Sequence, residues 1–62
     1  MKVKDIKLDR RTNQDVWIME YARDGTIDMR HYDVKNIPDY EMERSVMDIC
    51  IEIDDSIDIY VI

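Results

Sequence analysis

Residues 16–34 read VWIMEYARDGTIDMRHYDV and predict a β-hairpin. The run before the central Asp24-Gly25 pair is rich in β-branched and aromatic residues, which favour strands. An Asp-Gly pair between two such runs is the strongest short-range signal for a hairpin, because glycine readily adopts the positive φ of a tight turn. We therefore expect strands over residues 16–23 and 26–34, joined at Asp24-Gly25.

The first strand of this hairpin carries apolar side chains on both faces. Val16 and Ile18 share one face, whereas Trp17, Met19 and Tyr21 share the other, since successive side chains of a strand alternate. The pattern is typical of a strand that is central in its sheet or covered on both faces.

Three further strands are predicted outside the hairpin. Residues 3–8 interleave apolar with charged side chains, residues 46–54 place an isoleucine at every second position from Ile49, and residues 57–62 are largely apolar. Residues 46–53 also match a helical spacing that starts at Met42. Isoleucines at a spacing of two favour a strand over a helix interior, so the strand is our prediction there.

A short helix is predicted over residues 38–44. Pro38 suits the first turn of a helix, where its missing N–H has no partner to lose, and the acids that follow suit the positive end of the helix dipole. The expected fold is mainly β, a single domain over residues 1–62. It has a small antiparallel sheet of about five short strands and one short helix, in the order β-β-β-(short α)-β-β. A longer helix over residues 38–53 would make the fold α+β.

The small size and the single cysteine exclude several classes of protein. The chain has 62 residues, one cysteine (Cys50) and one histidine (His31), so it forms no internal disulfide and lacks the four ligands of a structural zinc site. We predict that His31 and Cys50 have structural roles, and that there is no catalytic set, metal or cofactor. No apolar leader or membrane-length run is visible, which predicts a cytoplasmic protein, or one in the host cytoplasm if a phage encodes it.

Charge is distributed unevenly along the chain. Residues 1–11 are basic, whereas residues 38–62 carry Arg44 as their one basic residue, and the net charge is −6. This balance argues against direct nucleic-acid binding, which requires Lys and Arg to neutralise phosphates, and it favours a protein partner with a basic surface. The acids predicted to contact that partner are Asp39, Glu41, Glu43, Asp48, Glu52, Asp54, Asp55 and Asp58.

In composition the whole chain resembles small phage-encoded proteins that block host nucleic-acid enzymes, because it is tiny, acidic, poor in cysteine and without a catalytic set. The resemblance implies a non-enzymatic anti-defence inhibitor of the anti-CRISPR or anti-restriction kind, which acts as a DNA mimic on a basic protein surface. The alternative is a small structural or assembly protein that self-associates through strand edges, with acidity serving solubility.

A homodimer is also expected, because a core this small gains from a partner. The last strand is apolar apart from Asp58, and such a strand at a sheet edge is a template for pairing with another chain. The residues predicted at the dimer edge are Ile57, Ile59, Tyr60, Val61 and Ile62.

Overall fold

The computed structural model describes all 62 residues as one sheet with a cover of irregular chain. The strands are β1 (Asp15–Tyr21), β2 (Ile27–Asp33), β3 (Val46–Ile51) and β4 (Ile57–Val61). One helical turn, α1 (Asp39–Met42), and two short 3-10 turns, Val3–Asp5 and Val34–Asn36, lie outside the sheet. The prediction of a mainly β protein with one short helix is confirmed, with four strands where about five were expected.

The hairpin predicted from Asp24-Gly25 is present. β1 and β2 pair antiparallel from Asp15 opposite Asp33 to Tyr21 opposite Ile27. Gly25 has φ +86°, and its N–H donates to the Ala22 carbonyl at 3.1 Å. The Asp24 carboxylate accepts hydrogen bonds from the Thr26 N–H at 3.0 Å and the Thr26 hydroxyl at 2.7 Å, which fixes the turn.

The strand order is β2-β1-β4-β3, and the sheet is mixed rather than wholly antiparallel. β4 pairs antiparallel with β3, as expected for a hairpin, but it pairs parallel with β1. The chain from Val34 to Ser45 connects β2, at one edge of the sheet, to β3, which forms the opposite edge. β4 then returns between β3 and β1, in the same direction as β1.

The predicted first strand, residues 3–8, is not a strand. Residues Val3–Asp5 form a 3-10 turn, and Lys2 makes an isolated bridge with Ser45. The apolar residues of this segment instead pack onto the sheet: Val3 is fully buried, and Ile6 and Leu8 pack against the same core. The apolar residues of this segment, spaced two or three positions apart, therefore cover the sheet and do not form an additional strand of it.

The core lies between one face of the sheet and this cover. Val16 and Ile18 of β1, and Ile57, Ile59 and Val61 of β4, point to this covered face and are buried there. Val3 and Val34 close the core from the cover side. Of the isoleucines predicted to share a face on β3, Ile49 packs against the core, whereas Ile51 and Ile53 are exposed. β3 ends at Ile51, three residues before the predicted boundary.

The predicted dimer edge is wrong in its location. β4 is hydrogen-bonded on both sides, to β1 and to β3, so Ile57, Ile59, Tyr60, Val61 and Ile62 offer no free strand edge. The alternating burial of β4 explains the apolar composition that suggested an edge, because its isoleucines and Val61 fill the centre of the core. The free edges of the sheet belong to β2 and β3.

The central position of β4 predicts that shortening Ile59 lowers the free energy of unfolding much more than shortening Ile53. Ile59→Val removes one methyl from a fully buried side chain and is expected to lower the free energy of unfolding by about 0.5–1.5 kcal/mol. Ile53→Val makes the same chemical change on a fully exposed side chain and should alter it by less than about 0.5 kcal/mol. Urea unfolding of both variants measures the difference, and equal effects would contradict the central position of β4.

Candidate functional site

The second face of the sheet has no layer packed on it. The helix and the two 3-10 turns all lie on the covered side, where the core cluster forms. The residues that point away from that core are here called the open face. They are Asp15, Trp17, Met19 and Tyr21 of β1, Ile27, Met29, His31 and Asp33 of β2, Asp48 and Cys50 of β3, Asp58 and Tyr60 of β4, and Glu52 just after β3. Met29 is 56% exposed and Tyr21 is 58% exposed.

Strand register arranges these residues in rows across the sheet. One row runs from His31 through Trp17 and Asp58 to Cys50. The next row runs from Met29 through Met19 and Tyr60 to Asp48. The open face is therefore apolar and aromatic over most of β2 and β1, carries Asp15 and Asp33 at one end of those strands, and becomes acidic towards β3.

Aromatic contacts hold the apolar half of the open face in place. The Trp17 and His31 rings have centroids 4.6 Å apart, and the His31 Nε2 lies 2.8 Å from an Asp15 carboxylate oxygen. The Tyr21 and Tyr60 rings are stacked, with centroids 6.2 Å apart. These contacts fix flat rings on neighbouring strands and leave their outer surfaces free.

The acidic half of the open face brings three predicted acids together. Asp48, Glu52 and Asp58 surround the Cys50 thiol, whose pKa they raise, with Glu52 the largest cause. The Asp58 carboxylate also raises the pKa of Glu52, both through a shared hydrogen bond and through like-charge repulsion. A shallow depression of about 250 Å³ joins both halves, with Trp17, Met19, Met29, Glu52, Ser56 and Asp58 in its walls.

None of the open-face residues is Lys or Arg. Arg30 and Arg44 project to the covered face, and two basic residues of the N-terminal segment, Lys2 and Lys4, bind Glu43 at 2.8 Å and 3.1 Å. Asp48, Glu52 and Asp58 form no salt bridge within the chain, whereas Asp15 is paired with His31.

Two of the predicted partner-binding acids are engaged inside the molecule. Glu41 is fully buried, and its carboxylate accepts hydrogen bonds from Arg30 Nε at 2.7 Å and Nη2 at 3.0 Å. Arg30 also binds Glu20, and Glu20 binds Arg44, whose guanidinium lowers the pKa of that carboxyl. Glu43 is held by Lys2 and Lys4. Glu41 is consequently unavailable to a partner, because a buried carboxylate needs its counter-charge.

The remaining predicted acids lie away from the open face. Asp39 begins α1, on the covered side. Asp54 accepts hydrogen bonds from the Ser56 N–H and hydroxyl, and Asp55 occupies the turn between β3 and β4 with φ +67°. Asp54 and Asp55 line an open cleft of about 550 Å³ with Asp9, Asp15 and Ile51. No group of three or more His, Cys, Asp or Glu side chains is arranged to hold a metal ion.

His31 and Cys50 lie on opposite edge strands of the sheet. Three strand spacings of about 4.8 Å separate their backbones by about 14 Å, so the imidazole does not contact the thiol. No helix is long and apolar enough to cross a membrane.

Sequence reasoning missed the apolar part of the open face as a candidate site. Trp17 and Met19 were assigned to a strand that is central or covered on both faces, and the strand is indeed central. The signal was the presence of apolar residues on both faces of β1, but the sequence pattern did not show that the elements outside the sheet cover one face alone. No family model, curated protein or solved structure matches this chain.

Neutralising Glu41, which is buried in α1, should destabilise the protein more than neutralising Glu43, the exposed C-cap of the same helix. Glu41→Gln weakens two charge-assisted hydrogen bonds in a buried site and should lower the free energy of unfolding by about 2–3 kcal/mol. Glu43→Gln changes an exposed ion pair, and we expect a loss of at most about 1 kcal/mol. Chemical denaturation of both variants at neutral pH makes the comparison, and similar losses would contradict the buried pairing of Glu41.

The carboxylate pair predicts a pH effect. The pKa of Glu52 is higher in the folded than in the unfolded chain, so Glu52 favours folding below its ordinary pKa and loses that contribution as pH rises through the raised value. Asp58→Asn should return the pKa of Glu52 towards its ordinary value in a carboxyl NMR titration and should reduce the loss of stability over that pH range. Asp39→Asn, which removes a charge on the covered side, serves as control and should leave the titration of Glu52 unchanged.

Proposed function

We propose that the protein is a non-enzymatic binding module that docks a basic protein surface on its open face. The single observation that supports this most strongly is the composition of that face. It presents exposed apolar and aromatic side chains beside Asp48, Glu52 and Asp58 and carries no Lys or Arg. Interfaces combine such anchors with complementary charge, which fixes orientation and accelerates encounter.

The crowding of carboxylates on the open face works against folding. Like charges on neighbouring strands are destabilising, and the raised pKa of Glu52 records the repulsion from Asp58. The opposite arrangement prevails on the covered side, where Glu20, Glu41 and Glu43 each have Arg or Lys partners. A chain that neutralises its structural acids in this way and leaves the open-face acids towards β3 without a salt bridge is suited to a cationic partner.

The finer form of the proposal is an inhibitor that mimics nucleic-acid charge. A protein groove lined by Lys and Arg for phosphates would also attract the open-face carboxylates. In this form the target is a nucleic-acid enzyme and the biological role is anti-defence, of the anti-CRISPR or anti-restriction kind. Competition with DNA for the partner is then expected.

The decisive measurement is association kinetics with a partner purified from host lysate on the immobilised wild-type protein. Glu52→Gln/Asp58→Asn should slow association with that partner, and the dependence of the rate on salt should become shallower, because screening acts on long-range attraction. Asp39→Asn/Asp55→Asn changes the net charge equally but lies off the open face, so its effect should be distinctly smaller.

Added duplex DNA tests the finer form in the same assay. Displacement of the protein by DNA supports charge mimicry, whereas a partner that binds the protein and DNA together restricts the function to protein binding. If both double variants associate at the wild-type rate with the wild-type salt slope, the open-face acids do not guide binding and the proposed function fails.

Self-association through a sheet edge is the second candidate function. β3 is an outer strand, and its Met47 and Ile51 are 54% and 69% exposed. An edge of this kind can pair with a second copy unless a charge blocks it. Ile51→Lys should then abolish a dimer seen by analytical ultracentrifugation at micromolar concentration, and a 7.5 kDa species at all concentrations would remove this candidate.

A further inference from the structure

We propose that the occupant of the open face is an amphipathic helix of the partner, with an apolar stripe and with Lys or Arg along one flank. The inference rests on the proposed function and specifies its partner. Two properties of the open face lead to it: the width of the apolar region and the position of the acids around that region.

The apolar region has the dimensions of one helix. It covers β2 and β1 and reaches β4 at Tyr60, and two spacings of about 4.8 Å make it about 10 Å wide in that row, which is close to the diameter of an α-helix with its side chains. Along β1 it runs from Trp17 to Tyr21, about 13 Å at 3.3 Å per residue, or roughly nine helical residues. A helix on this face would complete the second layer that the sheet lacks.

The acids determine the orientation of such a helix. Asp48, Glu52 and Asp58 lie towards β3, and Asp15 and Asp33 lie at one end of the β1–β2 pair. The β2 side of the apolar region ends in Ile27 and Met29. The β3 flank of a helix aligned with the strands therefore faces carboxylates, one of its ends lies towards Asp15 and Asp33, and its β2 flank faces apolar side chains or solvent. Basic residues along the β3 flank fit this arrangement, whereas the β2 flank beside Ile27 and Met29 requires none.

Charge also argues against a second copy as the occupant. The open face of another molecule would bring the same acids and no Lys or Arg, and its His31 is already paired with Asp15. Edge pairing is a different arrangement, because it would use the backbone of β2 or β3 and leave Trp17 and Met19 uncovered.

The methionines provide a direct readout. Met19 and Met29 lie on the open face, Met42 lies in α1 on the covered side, and Met47 lies on the edge strand β3. The probe is a synthetic helix of about 15 residues with a leucine stripe and lysines on one flank, and the matched probe carries glutamates in place of the lysines. Methyl spectra of ¹³C-methionine-labelled protein are recorded as each peptide is added.

We expect the lysine-flanked peptide to shift the Met19 and Met29 methyl signals and to leave Met42 unchanged, with no binding of the glutamate-flanked peptide. Met29→Gln should weaken the affinity about tenfold, which corresponds to about 1.4 kcal/mol, and Glu52→Gln/Asp58→Asn should weaken it further. Ile53→Gln replaces an exposed isoleucine off the open face and should have no effect.

Each other outcome overturns the inference. Shifts confined to Met47 would indicate strand addition at β3, and shifts of Met19 and Met29 with protein concentration alone would indicate a second copy. With the purified partner, slower association of Glu52→Gln/Asp58→Asn but not of Met29→Gln would overturn the helix and leave the proposed function standing. Insensitivity to both variants would overturn both.

Discussion

The structure depends on one constraint, which is that 62 residues supply a four-stranded sheet and enough further chain to cover one of its faces. The N-terminal segment and the crossover from β2 to β3 together form that cover, and they bury Val16, Ile18 and Ile59 completely. Small domains bury a smaller fraction of their surface than large ones. The apolar residues that alternate with this core on β1 therefore reach solvent, because all the elements outside the sheet pack on its other face.

The same cover explains where the charges are placed. The covered side includes polar groups that cannot reach water, and Glu41 is the extreme case, because its carboxylate is buried against Arg30. A buried ion pair contributes little net stability but becomes costly when one partner is removed, so it favours this arrangement of α1 over others. Lys2, Lys4, Arg30 and Arg44 pair with Glu20, Glu41 and Glu43. Asp48, Glu52 and Asp58 of the open face take part in no salt bridge.

Local signals in the sequence were sufficient for the elements and insufficient for their arrangement. Asp24-Gly25, Pro38 and the alternating isoleucines after Val46 each act within a few residues, and the hairpin, the short helix and β3 are where they were predicted. The segment 3–8 was misassigned because its apolar residues pack on the sheet from a 3-10 turn, and nothing local separates that role from a strand. The parallel pairing of β4 with β1 joins residues about forty positions apart, so it was beyond local patterning.

The candidate site likewise has a part that local sequence patterns predicted and a part that depends on the tertiary arrangement. Strand alternation predicted Asp48, Glu52 and Asp54 on one face, with Asp58 across the turn. Asp48, Glu52 and Asp58 do lie together on the β3–β4 hairpin, whereas Asp54 binds Ser56 in the turn. The sequence around Glu41 and Asp58 does not show which of the two carboxylates is buried. Glu41 is buried because the fold brings Arg30 of β2 against α1, whereas Asp58 lies on the open face. Trp17 adjoins Asp58 only through the parallel pair. The juxtaposition of aromatic and acidic side chains that supports a binding function is thus a product of tertiary topology, and it exists because β4 enters the sheet beside β1 and not at its edge.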